Sequence, residues 1–184
     1  MPQSHSNSNT LTIHTAVDFV RAQGVGIGLV QCATPTGRSE ERKYGFKRSQ
    51  LACENVKTPE RANMLALLHA LGLARTTIKR LGVHVQTLTV FCSSSNVCDI
   101  INHYLECSLI ELEHVVSTND RAMIRRVVVS VRELERRGVE VRIVHSVSFQ
   151  VSEEAARVRT LARQKGSKAC RSRRRARVSV AAGE

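Results

Sequence analysis
The sequence predicts an α/β fold: a five-stranded mixed sheet, its first three strands antiparallel, with helices on both faces. Three observations lead there. The chain opens with β-branched runs broken by turn residues, the pattern of an antiparallel meander. Each later strand is reached across a helical stretch, so those strands pair in parallel by right-handed crossovers. Hydrophobic residues make up 42% of the 184, enough for one real core.

The elements follow in order. Residues 1–10 are polar, rich in Ser and Asn, and read as a disordered leader. Leu11 to Val20 and Val25 to Thr34 are strands, and Pro35-Thr36-Gly37 is a turn signal. Arg42 to Leu51, with Tyr44 and Phe46, supplies the third strand. A helix runs from Pro59 to Leu81, with Thr58 as N-cap, Pro59 in the first turn and Gly82 as the stop. Its first half is apolar nearly all round, which marks a central, buried helix. Val83 to Ser93 is a strand. Ser95 or Asn96 caps a helix with the stripe Val97, Ile100, Ile101, Tyr104 and Leu105. Cys107 to Thr118 fits no single element. Asn119 to Arg137 is a helix with core positions Ile124, Val127, Val131 and Leu134, stopped by Gly138. Val139 to Val147 is a strand, and Ser152 caps a last helix towards Lys165. This gives β-β-β-α-β-α-α-β-α over one domain, residues 11–165, followed by a basic tail, 166–184, whose composition predicts disorder.

Charge is concentrated at the end. The net charge is +12. Residues 157–184 hold ten Lys/Arg against Glu184, a net +9, which leaves +3 for residues 1–156. Such a block suits a polyanion, most simply nucleic acid. The expected contacts are Arg163, Lys165, Lys168, Arg171, Arg173, Arg174, Arg175 and Arg177. The run 171–177 also fits a nuclear import signal. With four Phe, two Tyr and no Trp, stacking platforms are scarce, so binding should rest on charge and shape.

Six cysteines occur, none spaced as C-x-x-C, and no Cys/His cluster has zinc spacing. No run has the length of a membrane span, and no apolar stretch suggests a signal peptide. A reduced, intracellular and nuclear protein is expected, with nucleic acid as partner, a protein partner as the alternative, and no membrane.

Four stretches carry a family resemblance. Ile13-His14-Thr15-Ala16 resembles the first strand of ribonuclease H, which ends apolar-x-Thr-Asp. Glu60 to Ala66, Glu-Arg-Ala-Asn-Met-Leu-Ala, is similar to the helix start Gln-Arg-Ala-Glu-Leu-x-Ala. Leu88 to Ser94 resembles the fourth strand, which ends Thr-Asp-Ser, and Ser152-Glu153-Glu154-Ala155-Ala156 resembles Asn-Glu-x-Ala-Asp at the last helix. The four fall in family order across residues 11–165. The resemblance implies a ribonuclease H-like fold. It also implies a family activity, hydrolysis of the RNA strand of an RNA–DNA hybrid by two magnesium ions on four carboxylates. Those carboxylate positions fall on Ala16, Asn63, Ser93 and Ala156, and none is acidic. Magnesium needs anionic oxygen ligands, so no catalytic set is intact and no cofactor is expected.

One rescue is geometrically open. Asp18, Glu60 and Glu153 lie two or three residues from lost positions, spacings that keep roughly the same face. A displaced magnesium site would use them. The plainer reading makes them surface acids, with Glu60 serving the helix dipole. Other constellations also have plain readings. Gly24-Val25-Gly26-Ile27-Gly28 runs into a strand and so presents no helix N-terminus to a phosphate. His69 reads as a core histidine. His145 ends the last strand near where active family members carry a mobile histidine, but it lies too far from Ser152 for a clean match. Arg121, Arg125, Arg132 and Arg136 share a helix face, read as solvated in preference to a phosphate track.

Overall fold
The computed structural model describes residues 10–20, 24–33, 46–52, 56, 58–81, 85–106, 118–146, 156 and 158–164. Strand β1 (Thr10–Val20) organises them. Its odd-numbered Leu11 and Ile13 are buried in the main core, while even-numbered Ala16 belongs to a separate cluster with Val158 and Ala162. Successive strand residues face opposite sides, so β1 is covered on both.

β2 (Gly24–Ala33) pairs antiparallel with β1, and β3 (Phe46–Ala52) pairs antiparallel with β2. β4 (Thr87–Cys92) lies parallel to β1 on its other side, and β5 (Glu140–His145) lies parallel to β4. The sheet order is β3-β2-β1-β4-β5. β1, β4 and β5 form a parallel set that runs from the centre of the sheet to one edge.

Three helices cover one face. α1 (Pro59–Leu81) packs against β1, β2 and β4, and it buries Ala62, Ala66, Leu67, Ala70 and Ala74 completely. The four alanines among them let the helix sit close to the strands. α2 (Ser95–Glu106) buries Val97, Cys98, Ile101 and Tyr104. α3 (Thr118–Glu135) buries Ile124, Val127, Val128, Val131 and Leu134 and packs on both α1 and α2. On the opposite face lies α4 (158–164), with helical geometry also at Ala156.

Local chemistry sets the helix ends. The Arg61 N–H donates to Thr58 Oγ1 at 3.2 Å, the expected cap. The second helix is capped one residue earlier than expected: the Val97 N–H donates to Ser94 Oγ at 3.4 Å. α3 ends at Glu135, short of Arg137, because Gly138 adopts φ 80° and closes a Schellman turn. There the Val139 N–H reaches the Leu134 carbonyl at 3.2 Å and the Gly138 N–H reaches Glu135 at 2.8 Å.

Other limits also shift. Thr10, expected in the leader, is the first residue of β1, and residues 1–9 lie outside the described part. β3 begins at Phe46, with 41–45 outside. β4 starts at Thr87, where pairing to both Thr10 and Glu140 begins, so Val85 and Gln86 precede it unpaired as a strand. The expected tail, 166–184, the segment 107–117, and the proposed cap Ser152 all lie outside the described residues. No described helix is long and apolar enough to cross a membrane.

Candidate functional site
Three of the four matched positions belong to elements that meet around the ends of β1 and β4. Ser93 directly follows β4, and Asn63 sits in the first turns of α1. The Ser93 hydroxyl donates to Asn63 Oδ1 at 2.8 Å, and Asn63 Nδ2 donates to the Pro59 carbonyl at 2.9 Å. The amide thus has both ends engaged. That satisfies a side chain only 8% exposed, as a buried polar group requires. The Thr15 hydroxyl donates to the Phe91 carbonyl at 3.0 Å and fastens β1 to β4 beside it. Arg61 pairs with Asp120 at 3.5 Å and holds the start of α1 against α3.

Ala16 is 3% exposed and is packed by Val158 and Ala162. The last helix therefore seats on the Ala16 methyl group, the position matched in sequence to the first carboxylate of ribonuclease H. Ala156 is exposed on that helix, and its carbonyl accepts from the Thr160 hydroxyl at 3.1 Å. The matched positions offer one amide and one hydroxyl, bonded to each other, and two methyl groups. Such a set does not fit a pair of magnesium ions, which need several anionic oxygens. Of the displaced acids, Asp18 is half-buried on β1 and Glu60 is exposed in the first turn of α1. Glu153 lies outside the described residues. Among the described residues, no three His, Cys, Asp or Glu side chains gather as a metal site.

Beneath Ser93 lies a feature the sequence did not reveal. Cys92 and Cys98 are both buried and unbridged, and they face each other across the turn between β4 and α2. The Cys98 S–H donates to Cys92 and holds its thiol below the ordinary range. Burial opposes this, and the backbone N–H groups of Ser94 and Ser93 assist it. The same pairing, together with burial, pushes Cys98 well up. The spacing of six spans a strand end and a helix start, so no single periodicity exposes it.

The basic residues separate. Arg163 is exposed on α4, whereas Lys165, Lys168, Arg171, Arg173, Arg174, Arg175 and Arg177 lie outside the described residues. The four arginines read as one helix face do not form one solvated face: Arg125 on α3 and Arg136 just beyond its end are exposed, but Arg121 and Arg132 are half-buried. Arg132 Nη2 donates to the Leu105 carbonyl at 3.4 Å, which ties α3 to the end of α2. Gly24, Gly26 and Gly28 are all in β2, as the plain reading requires. His145 ends β5 in register with Cys92. His69 is half-buried, not core, and lines a groove between α1 and α3.

Comparison with known proteins bears on the fold. No family model matches the chain, and no curated protein sequence matches it. Solved structures do. The native protease–reverse transcriptase of prototype foamy virus superposes with a TM-score of 0.60 at 14% identity, over 90% of this chain and 22% of that one. The chain thus spans under a quarter of that protein's length. LC9-RNase H1, described as a type 1 RNase H with the type 2 active-site motif, gives 0.59 at 14% identity, over 90% of this chain and 75% of its own. A foamy viral protease–reverse transcriptase in complex with double-stranded DNA gives 0.58 at 13% identity, over 90% and 98%. At this level of identity the likeness concerns the fold, which is ribonuclease H-like.

Proposed function
We propose that this chain is a catalytically inactive ribonuclease H-like protein that binds nucleic acid, RNA or RNA–DNA hybrid, through charge and shape. The observation that carries the reading is the neutral, self-satisfied junction at the matched positions. Asn63 and Ser93 bond to each other and Ala16 is covered by the last helix. A magnesium pair would need these positions to be charged and open. The reading needs no cofactor. Support for the ligand class comes from the net charge of +12, most of it beyond residue 156, and from a similarly folded viral protein described in complex with double-stranded DNA. The basic run 171–177 adds nuclear import to the reading.

The test is a titration of purified full-length protein with RNA–DNA hybrid, duplex RNA, duplex DNA and single strands at two salt concentrations, followed by incubation of the hybrid with magnesium or manganese. Binding that weakens with salt, without cleavage above background, is the expected result. Metal-dependent cleavage that vanishes in Asp18→Asn or Glu153→Gln would replace this reading with the displaced site. Absence of binding to all four ligands would remove the nucleic-acid partner.

A further inference from the structure
α1 and α3 do not close against each other along their full length. Between them runs a groove of about 480 Å³. Its apolar lining includes Leu65, Leu68 and Val129, and Val129 is 48% exposed. Its arginines are Arg75, Arg125 and Arg126, all exposed. The one acid in the lining, Glu133, is already paired with Arg75 at 3.2 Å and Arg137 at 2.8 Å. Among the described residues no ion pair engages Arg125 or Arg126. The groove therefore offers an apolar strip beside uncompensated positive charge.

Gly72 lies in the middle of the α1 wall. A glycine inside a helix costs about 1 kcal/mol relative to alanine. Here the fold itself gives no steric reason for it: a Cβ built at Gly72 meets nothing within 4 Å. The space a side chain would fill is left to the groove. From Leu65 to Arg75 the wall extends about 15 Å, the length of roughly ten helical residues.

We propose that this groove docks an acidic amphipathic helix of a protein partner. Apolar residues of the incoming helix at i, i+3 or i+4 and i+7 would cover Leu65, Leu68 and Val129 and approach Gly72. Its flanking Glu or Asp would meet Arg125 and Arg126. A nucleic-acid strand fits less well, because no Trp, Tyr or Phe lines the groove to stack a base. The site is also separate from the Asn63–Ser93 junction. Asn63 and Leu65 are two residues apart on one helix, so they project about 200° apart around its axis. The proposal does not rest on the nucleic-acid reading.

The probe is a fluorescein-labelled peptide of about 16 residues, with Leu on one helical stripe and Glu beside it. Its controls are a Lys-for-Glu counterpart and a scrambled peptide of the same composition. Fluorescence anisotropy with the full-length protein should give micromolar binding of the acidic peptide only, weakening as salt rises. Gly72→Glu should raise Tm, because it removes a helix glycine, yet weaken the peptide at least about tenfold by filling and charging the groove. Arg125→Glu with Arg126→Glu should weaken it similarly and favour the Lys peptide. Nucleic-acid titration of Gly72→Glu should be unchanged, so loss of either binding activity is read separately. The proposal is overturned by equal binding of acidic and scrambled peptides, by no binding of the acidic peptide, or by affinity indifferent to Gly72→Glu. It is also overturned if the Arg125/Arg126 double variant loses duplex DNA but keeps the peptide, which would make the groove a phosphate track.

Discussion
At Asn63 a single amide holds two partners, the Ser93 hydroxyl and the Pro59 carbonyl. Truncation to Ala leaves both without their partner, at a cost of about 1–2 kcal/mol. Ser93→Ala should cost less, because Ser93 is exposed and water can replace it. A double-mutant cycle by urea denaturation should show coupling of about 0.5–1 kcal/mol between the two positions. Additive losses would mean that the bond is not formed in solution. Ala16→Asp tests the other half of the junction. It places a carboxyl against Val158 and Ala162, where burial disfavours the charged form. An acid whose folded pKa lies above its unfolded value binds more protons in the folded state. Stability is then greatest below the unfolded pKa and is lost as pH rises. The deficit of Ala16→Asp relative to the parent should therefore deepen from pH 4 to pH 7 in thermal melts. A deficit equal at both pH values would mean the last helix lifts and leaves the carboxylate in water. The residues at the junction were singled out in the sequence by the order of the motifs. Their mutual satisfaction was not, because a bond across thirty residues leaves no local pattern.

Elements were legible where one residue type decides an end. Thr58 and Pro59 mark the start of α1, and the helix opens at Pro59 as read from them. Strand limits were less legible, because a strand ends where its partners end and not where β-branched residues end. Val85 is buried yet precedes β4, whose pairing with β1 and β5 begins at Thr87. The cap of α2 was misplaced by one residue in a run of three serines, Ser93-Ser94-Ser95. Propensity cannot choose among them, and the hydrogen bond to Val97 does. Gly138 is the sharpest of these signals. Its φ of 80° lies in the left-handed region, and the turn it permits leads α3 directly into β5. Gly138→Ala should cost about 1 kcal/mol in urea denaturation, and Gly138→Asn less, since asparagine tolerates that region. No clash contributes, because a Cβ there meets nothing within 4 Å. Equal stability of Ala and Gly variants would show that the turn relaxes without strain.

Across the whole molecule, the Asn63–Ser93 junction is neutral, and the chain concentrates its charge elsewhere. Residues 1–156 carry +3 and residues 157–184 carry +9. Binding should then depend on the segment that holds Arg163, Lys165, Lys168, Arg171, Arg173, Arg174, Arg175 and Arg177, eight cations with no acid among them. Each phosphate neutralised on duplex DNA releases counterions, so log affinity falls with log salt by about 0.9 per contact. If half of the eight touch phosphates, the full-length slope is about −3.6. Truncation after Gly166 removes six of them, Lys168 to Arg177, and keeps Arg163 and Lys165. In the same proportion one contact remains, and the slope should flatten to about −0.9. Affinity should drop with it, while Tm stays within error, because the removed segment has no Leu, Ile, Met or aromatic residue to add to the core. Two measurements therefore separate the possible roles of the segment. A flattened slope at constant Tm assigns it to the ligand. Equal slopes and affinities in the full-length and truncated proteins would leave it nuclear import alone and return the body of the domain, with its +3, as the binding surface.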